Sequence, residues 1–442
     1  MSKYFTQTAI GSKVRIAESG DSLIFTIAFF LANLRASIFI FLYPDPSHLL
    51  SPAWIEIGLW LLVVFALSYK LVRNNRISDY WFALRRNWIV VVFVLLALLS
   101  VFWSIDRIVT LFRALELLLA TLLAVYLGMY FSPRQLMEFL FWFGAVLLIL
   151  SITLVFAAPR TGTMYWMPFD GAWRGIFWHR NHFSSVTALL SAVFLFRAID
   201  SFKTKDAKIV LDGMFYILSV FVLIRTQSVT GYLLFIFLNL LAICIWLWLK
   251  LQKRLRTWHY YLLLFGSVAG LFMVFFNLNA IFGLFNRSSS MTGRVPLWIS
   301  LLSGNVSERL WWGHGFGAFW TQDSFREDAR LLAGWTSQPL IADNGFLDVL
   351  LHLGIVGLLL LLSILVIAIV RSTQYALSHK TLTDFFPFLL ILYTLVANIP
   401  FSLFAETEVF IWMLIVAVIV MTMPSRNPAS ERLQQKQITS EI

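Results

Sequence analysis

Residues 342–357 read Ala-Asp-Asn-Gly-Phe-Leu-Asp-Val-Leu-Leu-His-Leu-Gly-Ile-Val-Gly, and 358–370 continue Leu-Leu-Leu-Leu-Leu-Ser-Ile-Leu-Val-Ile-Ala-Ile-Val. The apolar run from Phe346 to Val370 is longer than the ~20 residues that carry a helix across a hydrocarbon core. Two polar residues, Asp343 and Asn344, stand at its lip; Gly354 and Gly357 follow within it. A spanning helix with polar groups gathered at one surface, closing a long polar loop, points to chemistry on a substrate held in the bilayer.

The same alternation of apolar runs and short polar stretches fills the chain. Of its 442 residues 60% are hydrophobic and 13% charged, a balance that excludes a soluble globular domain. The apolar runs lack the ~10-residue strict alternation of a transmembrane barrel. We therefore expect an all-α polytopic membrane protein, one integral domain over 1–442. About twelve transmembrane helices are expected, near 22–43, 53–69, 88–103, 108–130, 137–158, 182–198, 209–227, 230–249, 259–283, 346–370, 382–400 and 406–423. The net charge of +11 sits in short blocks between apolar runs, so it sets topology and does not suggest nucleic acid. The single cysteine, Cys244, excludes a disulfide framework or a cysteine-based metal site. The polar stretch from Met1 to Gly20 lacks the pattern of a cleavable signal peptide.

Charge fixes the expected orientation. With both termini cytoplasmic, the inside loops hold Lys70, Arg73, Arg76, Arg85 and Arg86, then Lys203, Lys205 and Lys208, then Lys250, Lys253, Arg254 and Arg256, then Arg371 and Lys380. The tail from 424 to 442 is cytoplasmic, polar and expected to be disordered. The outer side holds arginine without lysine, among them Arg107, Arg113, Arg174, Arg180, Arg294, Arg309 and Arg326. A planar guanidinium suits bidentate binding of phosphate or carboxylate in a way lysine does not. Translocated loops also select against lysine, so single outer arginines carry less weight than their clustering.

Two outer loops are long, 159–181 and 284–345. The first ends Trp173-Arg174-Gly175-Ile176-Phe177-Trp178-His179-Arg180-Asn181-His182, where Arg174 and Arg180 suit an anion. His179 and His182 lack a third ligand nearby in sequence, so no metal is expected. The second loop should carry one helix beginning near Pro296 and another capped by Asp323 or Ser324, running to Leu332 and stopped by Gly334. Arg294 falls in the first turn of the former, where free N–H groups already favour anions. Gly313-His314-Gly315-Phe316-Gly317 lacks the lysine of a phosphate-binding loop and reads as a tight backbone turn. Asp343 or Asn344 would cap the following helix. Arg225 and Arg35, charges inside apolar runs, are functional candidates on that ground, and Glu406 and Glu408 open the last span on the same side.

These segments, taken in order, resemble the O-antigen ligase and polymerase superfamily, in particular its exopolysaccharide polymerases. The match rests on Trp103-Ser104-Ile105-Asp106 with Thr110 and Arg113, on Trp173–Phe177 with His179-Arg180-Asn181, and on Gly293-Arg294 with Trp298. Gly313–Gly317 and the Asn344, Gly354, Gly357 spacing complete it. The resemblance implies a C-type glycosyltransferase-like fold in a bacterial inner membrane, with the active site on the periplasmic face and no cofactor or metal. It implies a polyprenyl-diphosphate-linked glycan donor and an acceptor that is another glycan or lipid A core, with membrane lipids around it. A flippase and a chain-length regulator are the partners such a protein implies. Carried over, Asp343 takes the position of the base. Arg174, Arg180, Asn181, Arg225, Arg294 and Asn344 become substrate-binding residues. Two positions depart from the pattern. Asp343 stands where the family usually has histidine, an intrinsically stronger base. Val229 stands where an Arg or Lys usually follows the serine, here Ser228; Arg225, four positions earlier, is the expected substitute. The alternative reading is a transporter or a non-catalytic glycan-binding member of an export complex, which would place polar or broken helices near the bilayer midplane.

Overall fold

The computed structural model describes residues 9–10, 13–14, 54–165, 169–204, 207–251, 294–333, 341–404 and 409–424. Apart from a two-residue antiparallel pair, Ala9–Ile10 with Lys13–Val14, every element among them is helical. The main helices are α1 (Trp54–Arg73), α2 (Ile77–Arg86), α3 (Trp88–Leu99), α4 (Arg107–Tyr130), α5 (Pro133–Ala157), α6 (Arg180–Thr204) and α7 (Lys208–Thr226). They continue as α8 (Val229–Leu251), α9 (Arg294–Ser303), α10 (Asp323–Ala333), α11 (Gly345–His379), α12 (Phe386–Ala397) and α13 (Phe410–Met421).

Seven of these are long and apolar enough to cross a membrane, and an eighth span arises if α2 and α3 count as one bent element. Ten of the twelve expected spans thus coincide with helices. The two at 22–43 and 259–283 lie outside the described residues, as do Arg35, Glu406, Glu408 and the tail from 425. α12 and α13 are shorter than a full crossing, with 12 residues each. The short helix α2 was not expected. It meets α3 at 82°, exposes Ile77 and Trp81, and carries Arg85 and Arg86 in its last turn, the composition of a helix lying along an interface.

The bundle is organised from the inside out. α13 buries all twelve of its residues, and α4 and α6 bury most of theirs, whereas α1, α7 and α8 turn apolar side chains outward as lipid-facing helices do. α6 is the least apolar of the spans because small hydroxyls let its neighbours approach. Ser184, Thr187 and Ser191 donate to backbone carbonyls of their own helix, and Ser191 also accepts from Asn239 of α8. A Cβ at Gly231 would stand 2.4 Å from Ser184. At the lysine-bearing end, Arg197 of α6 joins Asp212 of α7 at 3.0 Å and also pairs with Glu138 of α5. This buried lock fixes the register of three helices.

Because successive spans alternate in direction, the segments before α4, after α5, between α7 and α8, before α11 and after α12 collect at the opposite end. That end carries all the motif segments. α4 is capped by Asp106, which accepts from Val109 N. The largest irregularity is inside α11: Gly354 has φ +66°, breaking the helix into Gly345–Leu353 and the spanning part beyond. Residues 309–317 lie against this break and supply hydrogen bonds the helix forgoes. Ile355 N donates to Leu310 O at 2.8 Å, His314 N to Leu351 O at 2.9 Å and Gly315 N to His352 O at 3.0 Å. Only glycine fits at the crossing, since a Cβ on Gly354 would lie 2.3 Å from the Trp311 carbonyl and one on Gly313 2.5 Å from that of His352. Gly313–Gly317 is therefore the tight turn its composition predicts, and it exists to dock on α11.

A candidate active site of loop arginines around Asp343

The motif segments assemble into two groups. In the first, the stretch before α4 docks on the glycine-rich turn. Ile105 N donates to His314 O at 3.0 Å, Trp103 Nε1 to Trp312 O at 2.9 Å and Phe316 N to Ser100 Oγ at 3.0 Å. Ser104 and Thr110 share a hydrogen bond of 2.7 Å, and a Cβ on Gly315 would strike Ser104. Arg113 is buried and pairs with Glu116 at 3.4 Å. These residues hold the loop to the bundle.

The second group gathers at the start of α11. α9 begins at Arg294, whose Nε donates to Asp343 Oδ2 at 2.9 Å. One helical turn later Trp298 Nε1 donates to Ala342 O at 2.8 Å. Two side chains four apart on one helix thus grip two consecutive residues before α11. Asn344 is the cap of α11, its Oδ1 accepting from Phe346 N and Leu347 N at 3.1 Å each. With Asn344 committed to capping, Asp343 projects separately. Its backbone has φ +53°, a conformation in which Asn, Asp and His are the enriched non-glycine residues. Backbone geometry therefore admits both the aspartate here and the histidine of the resembled pattern. Among the described residues Asp343 Oδ1 and the two Nη groups of Arg294 have no hydrogen-bond partner, so the pair presents an open acceptor beside an open two-pronged donor.

Beneath them sits a carboxylate that the sequence reading passed over. Asp348 is fully buried, accepts from Trp320 Nε1 at 2.7 Å and from Ala342 N at 3.1 and 3.2 Å, and also accepts from Ser402 Oγ. Asn344 N donates to the same Ser402 Oγ at 3.0 Å. One carboxylate so knits α11, the loop between α9 and α11 and the segment after α12, fixing where Asp343 points.

The first loop arrives from the other side. Gly175, at φ +58°, lets the chain turn against Ser151 of α5. Arg174 is buried and spends Nε on Thr161 O at 2.8 Å and Nη1 on Trp178 O at 3.1 Å, so it braces the loop; burial draws its guanidinium below its ordinary pKa. Arg180 stacks over Phe169 at 4.0 Å and donates Nη1 to Thr226 O at 3.2 Å and to Gln227 O, neutralising the carbonyl end of α7. Asn181 Oδ1 accepts from Ser228 Oγ at 3.0 Å, tying α6 to the α7–α8 turn. Between Arg174 and Arg180 lies His179, half-buried. Desolvation, then the charges of Arg180, Arg294, His182 and Arg174, push it down to about 3.

Arg225 departs from expectation. α7 ends at Thr226 and α8 begins at Val229, with Gln227 at φ +52° between them, so positions 225 and 229 do not share a helix face. Arg225 is exposed and lies over the Trp173 ring at 5.3 Å. Of the residues expected at the site, Arg294, Asp343, Asn344, Arg174, Arg180 and Asn181 are brought to one end of the bundle; Arg225 stands on its rim. The helices expected in the second loop are present, starting at Arg294 and running Asp323–Ala333. Among the described residues no three His, Cys, Asp or Glu side chains gather as metal ligands.

A multi-pass helical membrane protein with a carboxylate set among arginines at one end is the class this architecture defines. Residues 214–362 match the family model described as O-Antigen ligase. The chain is also 26% identical over 358 residues to the exopolysaccharide production protein ExoQ of Rhizobium meliloti (strain 1021), covering 78% of this chain and 77% of that one. The chain is thus similar to O-antigen ligases over residues 214–362 and to an exopolysaccharide production protein over most of its length.

Proposed function

We propose that the protein transfers a glycan from a polyprenyl-diphosphate donor to an acceptor hydroxyl at the periplasmic face of the inner membrane. The observation that carries this reading is the Arg294–Asp343 pair, with Oδ1 and both Nη groups open. In the reaction, the acceptor oxygen forms a bond to the anomeric carbon while the bond from that carbon to the phosphate oxygen breaks. The electron pair leaves with the polyprenyl diphosphate, and the hydroxyl proton passes to Asp343 Oδ1. Arg294 and Arg180 stabilise the charge growing on the leaving group; at an effective dielectric of ~20 a cation 4 Å away contributes about 4 kcal/mol before desolvation. Arg174 holds the loop that presents them, Asn181 joins that loop to the α7–α8 turn, and Asn344 sets the helix that carries Asp343. Arg225, on the rim, meets the glycan or the headgroup region.

Similarity to an exopolysaccharide production protein favours a polymerase, whose acceptor is another glycan, over transfer to lipid A core. A flippase that delivers the donor and a chain-length regulator are the partners such a reaction calls for. The protein reconstituted in liposomes with a lipid-linked repeat unit should convert it to a ladder of longer glycans with release of polyprenyl diphosphate. A product one unit longer only in the presence of lipid A core would replace polymerase by ligase, and an unchanged donor would overturn the transfer reading.

A further inference from the structure

His179 stands in the first loop between Arg174 and Arg180, where α6 starts. It directly precedes α6, and its carbonyl accepts from Phe183 N at 3.2 Å, which makes it the residue that caps the helix. Its ring does what a capping side chain does: Nδ1 accepts the backbone N–H of Asn181 at 3.2 Å. An imidazole nitrogen that accepts carries no proton, so in the neutral ring the proton is on Nε2. Burial first, then the charges of Arg180 and Arg294, favour that neutral form, as does the helix N-terminus, and the ring stays neutral well below physiological pH. The ring plane is held at its edges by Phe169 (centroids 6.4 Å apart) and Trp178 (5.2 Å). Among the described residues Nε2 has no hydrogen-bond partner.

This fixed N–H donor belongs to the loop that carries Arg174 and Arg180, whose guanidiniums, with that of Arg294, disfavour a second proton on the ring. Asp343 answers Arg294, and three guanidiniums against that one carboxylate leave room for an anionic ligand. We propose that His179 is a further binding residue of this site, its Nε2–H donating to a phosphoryl oxygen of the donor's diphosphate, an inference that rests on the transfer reading. The alternative for a histidine in an active site, a general base, needs a lone pair on the nitrogen that faces substrate; here the lone pair is spent on Asn181. The same geometry divides the labour: Asp343 accepts the proton, while His179 and the arginines hold the leaving group.

The test uses three variants of the full-length protein in liposomes. His179→Gln keeps an N–H close to the position of Nε2; His179→Asn keeps a group near Nδ1 and loses the donor; His179→Phe loses both. Donor turnover should stay within a few-fold of wild type in His179→Gln and fall about 10- to 100-fold in the other two, the range for a hydrogen bond to a charged group. The fall should lie in kcat, because the leaving group gains charge in the transition state. Binding of undecaprenyl diphosphate should weaken in the same order. His179→Gln as inactive as His179→Phe, or a rate that follows an ionisation lost in His179→Gln, would assign His179 as a base and overturn the proposal. Unchanged rates and binding in all three variants would overturn it as well. Melting temperatures separate loss of the cap, shared by Gln and Phe, from loss of the donor. A wild-type protein that leaves the lipid-linked donor untouched but binds undecaprenyl diphosphate more tightly than His179→Phe does would reject the transfer reading and leave the anion site standing.

Discussion

Arg294→Gln, Asp343→Asn and the double variant form a cycle that measures the pair at the centre of the site. Nε and Oδ2 stand 2.9 Å apart, with side chains only 10% and 21% exposed. Across that separation the Coulomb attraction is on the order of 5–6 kcal/mol at an effective dielectric of ~20. Desolvation of both groups offsets much of it. A net coupling of about 1–3 kcal/mol remains, which corresponds to about 5- to 150-fold in rate. The assay is kcat/KM for release of polyprenyl diphosphate by the reconstituted protein. Each single variant should lose activity, and the double should lose less than the product of the two. The physical reason is that the two act as a unit: Arg294→Gln leaves Asp343 without the partner that aims it, and once Asp343→Asn has removed the proton acceptor a change at Arg294 finds little left to disturb. Losses that multiply to within about 0.5 kcal/mol of additivity would show that the two residues act independently and would refute this reasoning.

Gly354→Ala should destabilise the protein by more than about 3 kcal/mol. It puts a side chain on a glycine-only backbone conformation, worth about 1–3 kcal/mol, and breaks the docking of residues 310–315. Thermal unfolding in detergent checks this, and a melting temperature equal to wild type would contradict the broken-helix account. The pH dependence of stability follows from His179. Its folded pKa, about 3, lies below the ordinary 6.5, so between these values the unfolded chain binds the extra proton. Its contribution is present above pH 6.5 and is lost as pH falls towards 3. Burial depresses His314 in the same direction. Melting temperature should fall from pH 7 to pH 4, less steeply in His179→Gln; equal slopes in the two proteins would remove His179 from the cause.

Much of this was legible in the chain because membrane spans declare themselves by length and hydropathy. Ten expected spans coincide with helices, and the capping role of Asn344 and the turn at Gly313–Gly317 followed from local chemistry. What was hidden depended on partners distant in sequence. Arg174 reads as an anion ligand until its donors are seen on Thr161 and Trp178 carbonyls. Asp348 reads as a stray polar residue in an apolar helix, since nothing local announces Trp320 and Ser402 as its partners. Arg225 and Val229 share no face because the backbone turns left-handed at Gln227 and ends the helix between them. For His179 the helix begins at Arg180, two residues ahead of the span expected from 182, which turns a loop histidine into a helix cap. α2 was hidden because its cations made it look like loop.

The most direct test of the central claim is glycan transfer by Asp343→Asn. Asparagine tolerates φ +53° and its carbonyl oxygen still accepts from Arg294 Nε, so the fold and the pair's geometry should survive. What it cannot do is take the acceptor's proton. Transfer from a lipid-linked donor should fall about 10²- to 10⁴-fold with an unchanged melting temperature. Transfer at the wild-type rate in Asp343→Asn would contradict the account.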